Sequence, residues 1–416
     1  MNRWRTQVGL VGLAMLGSTM AHAAGFYLSE VGTPVSLGTA GSANVTNNVG
    51  PDATWTNPAG LTSVEDGVMS AGLQVVASVM EFDPDIAEKG GDDGGDAGAI
   101  ALVPSFFYHQ QLSEKWHYGF GISGLQGGGI DYGDDFVGRY GAKEVLLQAL
   151  GVTFSFGYEV TDRLSIGAGA SVVYTTFDEK IAINQGPLPD GEVEFDELDD
   201  WGVQPIVGLQ YKLTDKLMLG LNWRGEFDAE LEGDIKFKNV VLPLPSQTNL
   251  EIDWTNPQWV DAGLRYTTAP GRNWFVSGTW QEWSKFSDNT IGVEVAGGNV
   301  VSTVLDRDWD DTWGVSLGYA RTAGGPEVPG YGWSMGVGYE SSPVDDDKRT
   351  IDMPMDETWK VSASLLKVRE DRFDWSLGAT LYFVGEAEVD QTAQGVRFAG
   401  DFDKYFVFFL GATARF

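Results

Sequence analysis

The stretch Tyr405–Phe416 reads with a period of two. Phe406, Phe408, Leu410, Ala412, Ala414 and Phe416 fall on one face, which is purely apolar. Tyr405, Val407, Phe409, Gly411, Thr413 and Arg415 fall on the other, which is mixed. A strand with lipid on one side and a packed or wet interior on the other has this pattern. It predicts that the chain closes into a barrel within a membrane, with this strand as the last stave.

The pattern recurs. From Asp66 onward, alternation and turn residues mark about fourteen runs. They cover 66–82, 99–112, 116–124, 144–160, 163–182, 201–212, 216–232, 250–267, 273–286, 303–321, 331–342, 355–369, 372–388 and 402–416. The gaps alternate in length. Long ones span 83–98, 125–143, 183–200, 233–249, 287–302, 343–354 and 389–401, and most of the others are short turns. Outer-membrane barrels have long external loops and short periplasmic turns, so the first strand runs outward and both barrel ends are periplasmic. The expected fold is all-β: a transmembrane antiparallel β-barrel of about fourteen strands in a bacterial outer membrane. Strand 402–416 should pair with 66–82 to close it.

The N-terminus reads as an export signal. Arg3 and Arg5 precede a short apolar stretch, Val8–Gly17, and Ala21-His22-Ala23 fits a cleavage site. The expected division is a signal peptide over 1–23, a lumenal hatch over 24–65 and the barrel over 66–416. Beyond the signal there is no apolar run long enough for a membrane helix. The 55 glycines suit curved, closely packed strands, and the 12% aromatic content suits interfacial girdles. A net charge of −32 disfavours nucleic acid as a partner and suits a salty medium that screens self-repulsion. With no cysteine, thiolate metal sites are excluded. After the signal the only histidines are His109 and His117, and no Ser-His-Asp, HExxH or GxSxG pattern occurs, so the chain reads as a non-enzyme without cofactor. The acidic stretch Asp92–Asp96 lacks EF-hand spacing and reads as a solvated loop rather than a metal site.

Three features point to passage of greasy molecules. The loop tip Val240-Val241-Leu242-Pro243-Leu244-Pro245 is apolar where water is expected, with Leu188 on the preceding external loop as its opposing wall. The third strand, 116–124, is short and interrupted by Gly119, Gly121 and Gly124, as at a bulge or bend. A break there leaves backbone groups that lipid cannot satisfy, and Asn57, presented by Pro58, offers both donors and acceptors to cover them. The inner face of the last strand, with Tyr405, Val407 and Phe409, is less polar than a water-filled pore needs. Arg224, Arg265 and Lys360 lie on the inward phase. Each is a candidate partner for a ligand carboxylate or for an internal acid, as is Arg139 on the second external loop.

Ala24-Gly25-Phe26-Tyr27-Leu28, followed by Asp52-Ala53-Thr54-Trp55-Thr56-Asn57-Pro58-Ala59-Gly60-Leu61, resembles the hatch of the FadL-type outer-membrane transporters. One departure is Thr39, where members often carry Arg. The resemblance implies a fourteen-stranded barrel plugged by its N-terminal segment. It implies passive uptake of hydrophobic small molecules, long-chain fatty acids above all, with aliphatic or aromatic hydrocarbons or an aqueous pore as alternatives. It further implies an external groove, a lumenal site and a gating shift of the hatch through Phe26, Asn57, Pro58 and Ala59. Lateral release at the third strand follows, beside the Asn-Pro-Ala segment. Phe416 then matches the terminal signature read by the barrel-assembly machinery. Outer-membrane lipid and lipopolysaccharide are the expected surroundings of a monomer.

Overall fold

The computed structural model describes residues 33–241, 247–295, 299–321, 330–367 and 374–416. The expected signal peptide, residues 24–32 with Phe26, and Leu242 and Leu244 lie outside the described residues. In chain order the strand segments are β1 (Met69–Ala87), β2 (Ile100–Gln111), β3 (Trp116–Asp131), β4 (Glu144–Thr161), β5 (Leu164–Ile183) and β6 (Gly191–Lys212). Then come β7 (Leu217–Arg224), β8 (Phe227–Lys238), β9 (Gln247–Asn256), β10 (Trp259–Ala269), β11 (Arg272–Gln281), β12 (Asp288–Val295) and β13 (Asn299–Asp306). The last are β14 (Thr312–Arg321), β15 (Tyr331–Glu340), β16 (Thr358–Lys367), β17 (Asp374–Val384), β18 (Val389–Ala393) and β19 (Val396–Arg415).

They make a closed antiparallel barrel of 14 staves, as the alternation predicts. β7 continues into β8 and β9 into β10 as single staves, while β12–β13 and β18 are hairpin extensions above the rim. Closure is the expected one. β1 pairs with β19 from Ser70↔Arg415 upward, and Met69 and Phe416 exchange backbone hydrogen bonds of 2.9 and 3.0 Å.

The lipid face follows the apolar phase: Leu73, Leu102, Phe154, Val207, Val276, Leu317, Val337, Val361, Leu377 and Leu410 are exposed. Aromatic residues ring both ends, Trp201, Trp223, Trp280, Trp313 and Trp359 at the loop end and Trp116, Tyr158, Trp274, Tyr319 and Trp333 at the turn end. Such girdles sit at the two membrane interfaces.

Several segments expected as loops are instead strand. β3 runs to Asp131 rather than ending at Gly124, β6 begins at Gly191 rather than 201, and β1 extends to Ala87. A membrane stave needs only about ten residues, so these strands rise well above the lipid. On β6 and its neighbours β5 and β8 many residues there are charged and cross-strand ion pairs reinforce the ladder, whereas the glycine-rich end of β3 is held by backbone pairing to β4. Lys238 bridges Glu192 and Glu194 at 3.1 and 2.7 Å, Lys143 bridges Asp134 and Glu192, and Lys180 pairs with Glu144. Apolar alternation alone does not see such strands.

The described part of the N-terminal segment lies inside the barrel. It consists of α1 (Pro34–Leu37), a 3₁₀ turn at Asn44–Thr46, α2 (Ala53–Thr56) and a 3₁₀ helix at Pro58–Ser63. Trp55, Asn57, Ala59 and Leu61 are buried against the wall.

Candidate functional site: hatch, lumen and side cavity

Asn57 has a non-helical backbone (φ −167°, ψ 106°), and its Oδ1 accepts from the Ala59 N–H at 3.1 Å, capping the 3₁₀ helix that Pro58 opens. Its Nδ2 donates to the carbonyls of Val45 (2.7 Å), Leu221 (3.1 Å) and Leu209 (3.3 Å). The side chain therefore ties two hatch turns to β6 and β7. This corrects the expectation that Asn57 covers a break in the third strand. The wall admits the Asn-Pro-Ala turn through glycines: a Cβ on Gly208 would sit 2.0 Å from Asn57 Oδ1, and one on Gly167 2.3 Å from the Pro58 carbonyl carbon. Ala59 is fully buried beside them.

The third-strand break exists, but higher than expected. β2 and β3 pair from Gln111↔His117 up to Ser105↔Ser123 and then part. Above that point β3 stays paired with β4, through a bulge between Gly124 and Gln126 that turns Leu125 inward, and meets the β1–β2 connection again only at its tip, where the Asp131 N–H donates to the Ala97 carbonyl at 3.0 Å. Gly124 thus marks the break. Gly119 and Gly121 do not, since the ladder is continuous through both. A Cβ on Gly119 would meet Thr54 Oγ1 at 2.2 Å and one on Gly121 would meet Phe107 at 2.7 Å, so they give room to the hatch and to a neighbouring ring. Where the strands part, a cavity of about 290 Å³ reaches from inward-facing Val76, Leu147 and Ala149 to lipid-facing Leu102, Pro104 and Leu150. On the lumen side Trp55 packs with Phe107, Leu125, Ala149 and Val173.

Deeper in, a polar pocket of about 60 Å³ lies between hatch and wall, lined by Trp55, Arg224, Trp259, Asp261, Glu340 and Lys360. The Arg224 guanidinium stacks 4.0 Å from the Trp55 ring and 5.1 Å from that of Trp259, and it donates to the Trp55 carbonyl. Lys360 pairs with Glu340 at 3.0 Å and lies over Tyr382. Arg265 does not reach this pocket. It donates to Asn48 Oδ1 at 2.6 Å and holds the hatch. Tyr405, Val407 and Phe409 are buried on the inner face, Phe409 against Tyr382 with ring centroids 4.6 Å apart. They belong to a large apolar core in the outer half of the lumen with Phe177, Trp254, Phe286 and Trp309.

At the outer rim, Leu188 and Val241 are both exposed, and the Val241 N–H donates to Gln185 Oε1 at 2.8 Å, linking the two loop tips. Arg139 is engaged with Asp190 at 3.0 Å. Burial pushes the Asp190 carboxyl up, but hydrogen bonds from Tyr140 and Arg139 outweigh it and leave it below the usual carboxylate range. Asp92 and Asp93 fold back onto backbone N–H groups of their own loop.

Sequence reasoning passed over Trp55 as a site residue, although it sits between polar pocket and side cavity. It also missed residues 341–357, which fold inward around a fully buried Arg349 salt-bridged to Asp346 and Asp356. An arginine among five acids, in Asp345-Asp346-Asp347-Lys348-Arg349 followed by Asp352 and Asp356, was the available signal.

The sequence matches, over residues 14–404, the family described as outer membrane protein transport protein (OMPP1/FadL/TodX). It is 25% identical to the long-chain fatty acid transport protein of Escherichia coli O6:H1, over 92% of this chain and 89% of that protein. The fold is similar to a crystal structure of a Pseudomonas aeruginosa FadL homologue, with a TM-score of 0.84 at 17% identity, covering 94% of this chain and 99% of that one. It is also similar to the Ralstonia pickettii toluene transporter TbuX, with a TM-score of 0.69 at 19% identity and the same coverage of both chains. Members of this family are transport channels rather than enzymes. With its closed barrel and inward-folded N-terminal segment, this chain belongs to the FadL/TodX family of outer-membrane transporters of hydrophobic compounds.

Proposed function

We propose that the protein takes up long-chain fatty acids passively and releases them sideways into the outer membrane. The observation that carries this reading is the parting of β2 and β3 above Ser105↔Ser123, with a cavity running through the wall. Ligand first meets the apolar rim at Leu188 and Val241, the latter followed in sequence by the apolar Leu242 and Leu244. It then enters the lumen beside Tyr405, Val407 and Phe409. A carboxylate there has Arg224 and Lys360 within the adjoining polar pocket. A shift of the hatch, through Phe26 and the Asn57–Ala59 turn, opens the way past Trp55 to the gap. Gradient-driven movement between apolar environments needs no energy source. Phe416 serves as the handle for the barrel-assembly machinery, and the barrel works as a monomer among outer-membrane lipid and lipopolysaccharide.

Uptake of hydrocarbons is the second reading. It is favoured by the side cavity, where no acidic or basic side chain lines the wall among the described residues.

The test uses cells lacking their own transporter and producing this chain. The protein has no cysteine, so a Pro104→Cys, Gly124→Cys pair can staple β2 to β3 cleanly. Labelled oleate and a labelled alkane should enter with the wild type, stop on oxidation of the pair and resume on reduction. Ion conductance without uptake of either ligand refutes the reading in favour of an aqueous pore.

A further inference from the structure

We propose that the side cavity holds a head-group site centred on Gln126 that takes uncharged hydrogen-bonding groups, so that a carboxylic acid leaves the barrel in its protonated form. The inference rests on the lateral-release reading and adds what the gap selects.

Gln126 is only 6% exposed and lines the cavity, yet its Oε1 has no hydrogen-bond partner among the described residues. Buried polar atoms are nearly always paired, so an orphaned acceptor facing a cavity marks where a ligand or water bonds. It is not alone. The Thr175 and Ser123 hydroxyls and the Trp55 indole N–H are also buried and unpartnered. Register brings them together: Gln126 lies opposite Ala149, and Ala149 lies opposite Thr175 on the next strand. Two strand spacings of about 4.8 Å separate the Gln126 and Thr175 backbones, with only a methyl group between them. The orphaned acceptor of Gln126 thus faces the gap, with the unpartnered Thr175 hydroxyl in register on the same inner face two strands away.

The donor set fits a neutral acid. Its O–H donates to Gln126 Oε1, and its C=O accepts from the in-register Thr175 hydroxyl. A carboxylate has no proton for Gln126 and meets no cation in this cavity, and an unpaired buried charge is far costlier than a neutral polar group. Trp55 divides the two environments, with Arg224 stacked on its ring on the pocket side. Beyond the wall Gln148 and Thr176, opposite each other on the outer face, continue the polar path. The proton comes from water, by ordinary equilibrium of the ligand. A free carboxylic acid has a pKa of roughly 4–5, so its neutral fraction falls about tenfold per pH unit near neutrality.

The test compares uptake of labelled oleate, oleyl alcohol and octadecene by cells in which this protein is the only route. From pH 6 to pH 8, oleate uptake relative to oleyl alcohol should fall at least tenfold. At pH 7, Gln126→Leu should lower the oleate-to-octadecene ratio about tenfold, and Gln126→Asn, which keeps an acceptor, should restore much of it. Heat-modifiable gel mobility verifies that each variant folds. A pH-independent oleate-to-alcohol ratio, or a Gln126→Leu variant that slows all three ligands equally, overturns the proposal. Failure of octadecene to enter through the wild type, or entry unaffected by the β2–β3 staple, instead refutes lateral release itself.

Discussion

Asn57 offers a clean separation of two roles within one side chain. Asn57→Ala removes the Nδ2 donor to three carbonyls and the Oδ1 acceptor for Ala59 N–H. The amide carries two protons, so the three acceptors count as about two bonds, and the cap adds a third. At roughly 0.5–1.5 kcal/mol net each, the hatch loses about 2–4 kcal/mol of docking free energy. That is a rise of roughly 30- to 900-fold in the opening equilibrium of the hatch. Asn57→Asp keeps the cap acceptor, loses both donated bonds and sets a carboxylate against carbonyl oxygens. It should open the hatch at least as far. Hydrogen exchange resolved by mass spectrometry reads this directly: hatch peptides spanning 44–63 should lose protection in both variants while wall peptides keep theirs. Hatch exchange within about threefold of wild type in both would refute the docking role. An Asp variant that behaves as wild type would assign the function of Asn57 to its cap alone.

Three more outcomes follow from the geometry. Gly336→Val puts a side chain where even a Cβ lies 2.2 Å from the Thr39 carbonyl carbon, so the α1 region should detach at a cost of about 1–3 kcal/mol, seen as new protease sensitivity between residues 33 and 45. Arg349→Met leaves Asp346 and Asp356 without their buried partner and removes hydrogen bonds to the Met355 and Glu388 carbonyls. Segment 341–357 should lose about 3–5 kcal/mol of docking and become cleavable by external protease on whole cells. Acid should loosen the same segment. Burial pushes the Asp352 carboxyl up, but the Arg307 charge and hydrogen bond, at 2.6 Å, outweigh it and hold it below its ordinary value. A depressed carboxyl stabilises the folded loop above its unfolded pKa near 3.8 and loses that contribution as pH falls through the folded value. Cleavage of the segment should therefore be flat from pH 8 to 5 and rise below about pH 4. A flat profile down to pH 3 would show that the pair contributes nothing.

The sequence by itself determined the stave count, the inward and lipid faces, and closure of 402–416 on 66–82. Each rests on side-chain alternation along a single strand, which is a local property that lipid on one face enforces. It also placed Arg224, Lys360, Tyr405, Val407 and Phe409 indoors, because phase alone decides that. Tertiary structure decided what depends on pairs of distant segments. The charged upper part of β6 is strand because β8 pairs with it and Lys238 bridges Glu192 and Glu194, while the glycine-rich end of β3 is strand because β4 pairs with it. Gly119, Gly121 and Gly124 look alike in sequence, yet only Gly124 meets the end of the β2–β3 ladder, and register is a relation between two strands rather than a property of one. Asn57 announced that it must bond something buried. That its partners are Leu209 and Leu221, on β6 and β7 rather than on the third strand, follows from how the hatch packs inside the barrel.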